Sequence, residues 1–189
     1  MNVLRSITLV LATGLPALSA PVPVGASLPA REAEQILYMK QEEKLARDLY
    51  QALAKRWSVP MFDRIAAAEQ RHLQAVEGLV ARYALNDPAP AEPGRFSIPD
   101  LQKLHDDLLA SGGVSLPQAV AAGIAVEQAD IEDLDEVLRS VRTPAVARVM
   151  SQLRAASGRH LEAFQAAAAR LQAGEELGDW ARANAACPR

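Results

Sequence analysis

Glu69 and His72 stand three residues apart in a stretch, 60–83, that reads as helical, so a carboxylate and an imidazole project from one helical face a turn apart. Such a pair can hold one divalent cation. The spacing alone is common on helices, and its weight comes from its company. Each of four helical stretches has one run of positions, spaced alternately three and four apart, that is mostly apolar and must face a core. The first gives Ile36, Met39, Glu43, Ala46, Tyr50, Leu53 and Trp57, and the second Phe62, Ile65, Glu69, His72, Val76, Leu79 and Tyr83. The third gives Val120, Ile124, Glu127, Ile131, Leu134, Leu138 and Val141, and the fourth Val146, Met150, Leu153, Ser157, His160, Phe164, Ala167 and Leu171. Every run is interrupted at a similar depth.

A carboxylate in an apolar core is costly unless it is paired or bound to a cation, and left alone it takes up a proton. Glu43, Glu69, His72, Glu127 and His160 in one layer make sense chiefly if a pair of metal ions supplies the missing positive charge. Carboxylate and imidazole ligands suit iron and manganese, with zinc as an alternative.

The elements that must position these residues are helices. Aromatics make up 4% of the chain and alternating Val, Ile and Thr runs are scarce, so the fold class expected is all-α. Residues 31–57 form the first helix, and 60–83 the second, with Pro60 at a position where a helix start tolerates it. The proline-rich run NDPAPAEPG stops the second helix, and a short helical stretch, 99–109, leads into SGGVS. A third helix covers 116–141, with a bend expected near Gly123. Thr143-Pro144 then caps a fourth, which continues to residue 171. The long link between the second and third helices implies that these two run parallel, with the chain crossing the length of a four-helix bundle between them.

Residues 1–26, with Arg5 ahead of an apolar run from Ile7 to Leu18 and small residues at Val24-Gly25-Ala26, read as a secretory signal peptide. The mature chain is then expected to start near Ser27, to carry no membrane span and to be periplasmic or secreted. Residues 27–173 make the domain, and 174–189 a tail with one amphipathic turn around Trp180. The net charge of −3 is spread without a basic stripe, which argues against nucleic acid as a partner. The single cysteine, Cys187, leaves no intrachain disulfide and no Cys cluster for electron relay, so electrons must come from outside.

The segments MKQEEKLARDLY, IAAAEQRHLQAV, GIAVEQADIEDLDEV and SGRHLEAF together resemble the family known as the DUF2202 domain, a ferritin-like group, from about Glu34 to Phe164. The resemblance implies a ferritin-like four-helix bundle with a di-iron carboxylate site. Glu43 then takes the place of the first-helix glutamate, Glu69 and His72 the second-helix pair, Glu127 the third-helix carboxylate and His160 the last-helix histidine. Tyr50, seven residues after Glu43, matches the tyrosine of rubrerythrins. Ser157 departs from the pattern, standing where a second Glu-x-x-His would have its glutamate. Asp130, three residues after Glu127, is the carboxylate that can replace it; without it the site holds one metal, or two with positions filled by water.

Among neighbouring residues, Glu43 is preferred as ligand over Glu42, which is expected to be solvated or to support the ligands. His105 reads as a surface residue. Lys44 and Arg47 are expected to pair with acidic groups, Arg159 to brace a ligating carboxylate, and Tyr50 and Trp57 to pack. The function expected is an exported di-iron oxidoreductase, a ferroxidase or a reducer of peroxide or dioxygen, with a homodimer possible. The alternative is a non-catalytic metal-binding or metal-delivery protein of the cell envelope. A metal-free helical interaction module comes third.

Overall fold

The computed structural model describes residues 28–178. These form five helices, α1 (Ala30–Trp57), α2 (Pro60–Arg82), α3 (Pro99–Gly112), α4 (Leu116–Ser140) and α5 (Pro144–Gln172), with no strand among the described residues. The all-α expectation holds. Four of the five helices carry proline in their first two positions, where its missing N–H costs nothing. Ser115 Oγ accepts from the Gln118 N–H to cap α4, and Ser58 takes a left-handed conformation (φ 53°) that ends α1 and lets Val59 lead directly into α2.

Helix α1 packs on α2, and α4 on α5; the two pairs meet through α1 with α4 and α2 with α5, while α3 lies on α1 and α4. Two apolar clusters fill the interior. One contains Leu49, Tyr50, Leu53, Phe62, Ile65, Val120 and Phe164, and the other Ile36, Met39, Val76, Leu79, Leu134, Met150 and Leu153. On each long helix the boundary between clusters falls at the polar residues: Glu43 on α1, Glu69 and His72 on α2, Glu127 and Asp130 on α4, Ser157 and His160 on α5. The polar layer thus lies between two apolar floors that keep water from it.

The link from α2 to α4, residues 83–115, is tied down by α1. Lys44 Nζ donates to Asp48 Oδ2 at 2.7 Å and to the carbonyls of Glu92 and Arg95 at 2.7 and 3.1 Å. The Gly94 N–H donates to the same Asp48 oxygen at 2.9 Å, and Arg47 binds the other. Lys44 and Arg47 do pair with acid, and through Asp48 they hold the link. A third anchor corrects an expectation. His105 is buried, not on the surface, with its ring 5.2 Å from that of Phe96 and its Cε1 3.1 Å from where a side chain on Gly94 would begin. Gly94 itself sits at φ 71°, a conformation that suits glycine.

Helix α4 departs from its expected pattern in two ways. It runs unbroken through Gly123, whose lack of a side chain serves packing: a Cβ there would fall 2.5 Å from the Phe164 ring. Ile124, Ile131 and Leu138 are only half-buried, whereas Ala119, Ala122, Val126, Asp130 and Val137 are buried, because α4 is enclosed by α1, α3 and α5 together.

Candidate metal centre

Glu69 stands at the middle of the layer. Its Oε2 lies 2.6 Å from His72 Nδ1, one turn along α2, and its Oε1 lies 2.7 Å from His160 Nδ1, which α5 brings across the core. One carboxylate thus joins two imidazoles. The two rings stack at 5.5 Å between centroids, and the donor atoms of Glu69, His72 and His160 all fall within 4.8 Å of one another. A further glutamate flanks each histidine: Glu43 Oε2 is 3.4 Å from His72 Nδ1, and Glu127 Oε2 is 3.7 Å from His160 Nδ1. Glu43, Glu69, Glu127 and His160 are all at most 2% exposed.

The structure therefore brings together five of the six residues singled out as ligands. Asp130 stands at the edge of the group, where its Oδ2 accepts from Ser157 Oγ at 2.6 Å; the same hydroxyl lies 3.0 Å from the Leu153 carbonyl oxygen. Ser157 is thus the partner of Asp130, a role that its place on the apolar stripe of α5 did not reveal. Tyr50 does more than pack. Its hydroxyl donates to Glu127 Oε1 at 2.7 Å and fixes that carboxylate. Arg159 does not brace the layer, being exposed and bonded to the Ala155 carbonyl one turn back.

Glu42 is also corrected. It is buried, and it faces Asp130 across a small cavity also lined by Leu45, Leu104, Val126 and Ala129. Six consecutive residues of α1, Gln41 to Ala46, are buried, since α3 and the link cover the side that a two-faced helix would leave to water. No periodicity within α1 signals this.

The electrostatics of the layer are those of too many carboxyls. Burial opposes ionisation of Glu69, but the two histidines outweigh it and hold its carboxyl well below the usual range. Burial likewise opposes charge on His72, yet its contacts with Glu43 and Glu69 raise its pKa to about 10. The remaining acids move the other way. Burial, then the charge of Glu69, pushes Glu127 up to about 7 against the pull of His160 and Tyr50. Burial, with Glu127 and Glu69, pushes Asp130 up to about 8 against the Ser157 bond, and burial and Asp130 push Glu43 well above its ordinary value. Several of these acids therefore hold protons near neutral pH. Protons held on converging carboxyls are what a bound cation displaces. Glu43 Oε1 and Asp130 Oδ1 have no hydrogen-bond partner among the described residues. Oxygen and imidazole donors of this kind, with buried oxygens to spare, have the chemistry to hold a divalent cation such as iron or manganese.

Residues 32–175 match the family described as "Uncharacterized protein domain (DUF2202)". The chain is 34% identical over 134 residues to the uncharacterized protein MJ0754 of Methanocaldococcus jannaschii, covering 70% of this chain and 72% of that one. The crystal structure of hypothetical protein MJ0754 superposes with a TM-score of 0.74 at 30% identity, over 87% of this chain and 89% of that one. The chain belongs to the DUF2202 family.

Proposed function

We propose that this protein is a ferritin-like four-helix bundle that binds two ions, iron foremost, in its Glu/His layer and reduces dioxygen or peroxide with them, acting as a ferroxidase or a peroxide scavenger. The observation that carries the reading is the place of Glu69, one oxygen on each histidine. Glu69 would span the two positions, with Glu43 and His72 holding one ion and Glu127 and His160 the other. The order of contacts supports the bundle: α1 with α2, α4 with α5, and a 33-residue link, 83–115, that α1 holds along its side. Bound iron would supply the electrons for the reaction. The chain's own residues do the rest: Tyr50 orients Glu127, the two apolar clusters exclude water, and Asp130 with Ser157 keeps a proton-holding carboxyl beside the layer. Cys187 is the only cysteine, so the reductant is ferrous iron as substrate or an external donor. Residues 1–26 lie outside the described residues; their signal-like composition supports a place in the periplasm or outside the cell.

A second reading, metal holding or delivery without turnover, is favoured by how tightly the layer is sealed. Oxygen consumption after anaerobic loading with ferrous iron separates the two. Rapid uptake of dioxygen, abolished in Glu69→Ala, is the expected result; retained ferrous iron with no dioxygen uptake would establish the second reading instead.

A further inference from the structure

A groove of about 540 Å³ runs along α1 and α4, and Glu34, Tyr38, Gln41, Asp133 and Glu136 are among its lining residues. Its three acids outnumber the one base there, Arg31, which pairs with Glu136 at 3.6 Å. In this groove the Tyr38 hydroxyl donates to Asp133 Oδ2 at 3.2 Å, and Glu42 follows Tyr38 one turn along α1. Glu42 in turn lines the small cavity shared with Asp130, whose volume of about 10 Å³ is room for one water or one small ion.

Two carboxylates line this cavity, each more than nine-tenths buried. Glu42 Oε2 and Asp130 Oδ1 lack a hydrogen-bond partner among the described residues, although a buried oxygen left so is costly. Asp130 is joined to the metal layer through Ser157 on α5, and Glu42 is the chain neighbour of Glu43. Acids therefore follow one another from solvent to the layer, with Tyr38 and Glu42 one turn apart on α1 and Asp133 and Asp130 one turn apart on α4. We propose that divalent cations reach the metal centre along this line, from the groove past Asp133 to a transit position between Glu42 and Asp130. The inference rests on the metal-binding reading above and adds to it a path and a third, transient cation position. A negatively lined cleft of this kind raises the local concentration of a cation and the rate of its capture.

The test is stopped-flow uptake of Co²⁺ by the full chain, followed by the visible absorption of the bound ion, with stoichiometry measured at equilibrium. Glu42→Gln keeps the shape of the side chain, and Asp133→Asn removes one of the acids that line the groove. Both variants are expected to reach the wild-type stoichiometry but to load slower by about tenfold or more, with the wild-type rate falling as salt is added. Loading of both variants at the wild-type rate would overturn the path. So would a lower final stoichiometry in Glu42→Gln, which would make Glu42 a resident ligand. A wild-type chain that takes up no Co²⁺ would instead overturn the metal-binding reading and the path with it.

Discussion

At the scale of single residues, the behaviour of the layer follows from how its protons are shared. Glu127 and Asp130 bind protons more tightly folded than unfolded, with pKa values pushed up to about 7 and about 8 from 4.5 and 3.8. The native chain therefore holds protons that the unfolded chain has released, and between these values its stability falls as pH rises. His72 acts in the same direction: its pKa is raised from 6.5 to about 10, so its favourable contribution is whole below the lower value and is lost as pH rises through the higher. Glu69, held low by the histidines, loses its contribution only as pH falls far into the acid range. Metal-free protein, prepared with chelator, is expected to unfold at lower urea concentration at about pH 8 than at about pH 5. Metal-loaded protein is expected to reverse the trend, because cation and proton would compete for the same oxygens. Urea unfolding across this range, with and without ferrous iron, checks both; a metal-free chain that gains stability toward pH 8 would mean the layer's carboxyls are already ionised.

At the scale of elements, Gly123 is the tightest fit among the described glycines. Its substitution by alanine would place a methyl against Phe164, whose ring lies 5.2 Å from that of Tyr50, which in turn holds Glu127. Gly123→Ala is expected to cost about 1–3 kcal/mol in urea denaturation. Gly158→Ala on α5 meets only the Arg154 guanidinium at 3.6 Å and should leave stability equal or raise it by up to about 1 kcal/mol. Equal effects from the two would show that Phe164 repacks freely. What the sequence discloses about these elements depends on what buries each residue. Helices α1, α2 and α5 are legible because their apolar stripes are covered by one another, and Glu43, Glu69, His72 and His160 can be found as interruptions of those stripes. Glu42 and His105 are not legible, because α3 and α4 cover Glu42 on α1 and the link covers His105 on α3, and such cover leaves no period in either helix. The stripe of α4 reads through Ile124, Ile131 and Leu138, while three neighbouring helices bury a different set that includes Asp130. The small residues on that face give no hydrophobic signal.

For the whole molecule, the two apolar clusters and the layer between them set the central question. A core of this size could be closed with leucines, yet the chain places three glutamates and two histidines at its middle and braces them with Tyr50, Asp130 and Ser157. Buried ionic groups of this kind stabilise a fold poorly by themselves. Membership of the DUF2202 family and the likeness to the MJ0754 crystal structure support this arrangement of helices, and the proposed metal centre would give the layer a purpose. The measurement that tests this most directly is metal content by elemental mass spectrometry, on protein refolded anaerobically with ferrous iron, for the wild type beside Glu69→Ala and His160→Ala. About two ions per chain in the wild type, lost in both variants while the helical signal persists, is the expected result. A wild-type chain that folds fully and retains no metal would contradict it, and would leave the Glu/His layer as a polar core that sets the register of the helices.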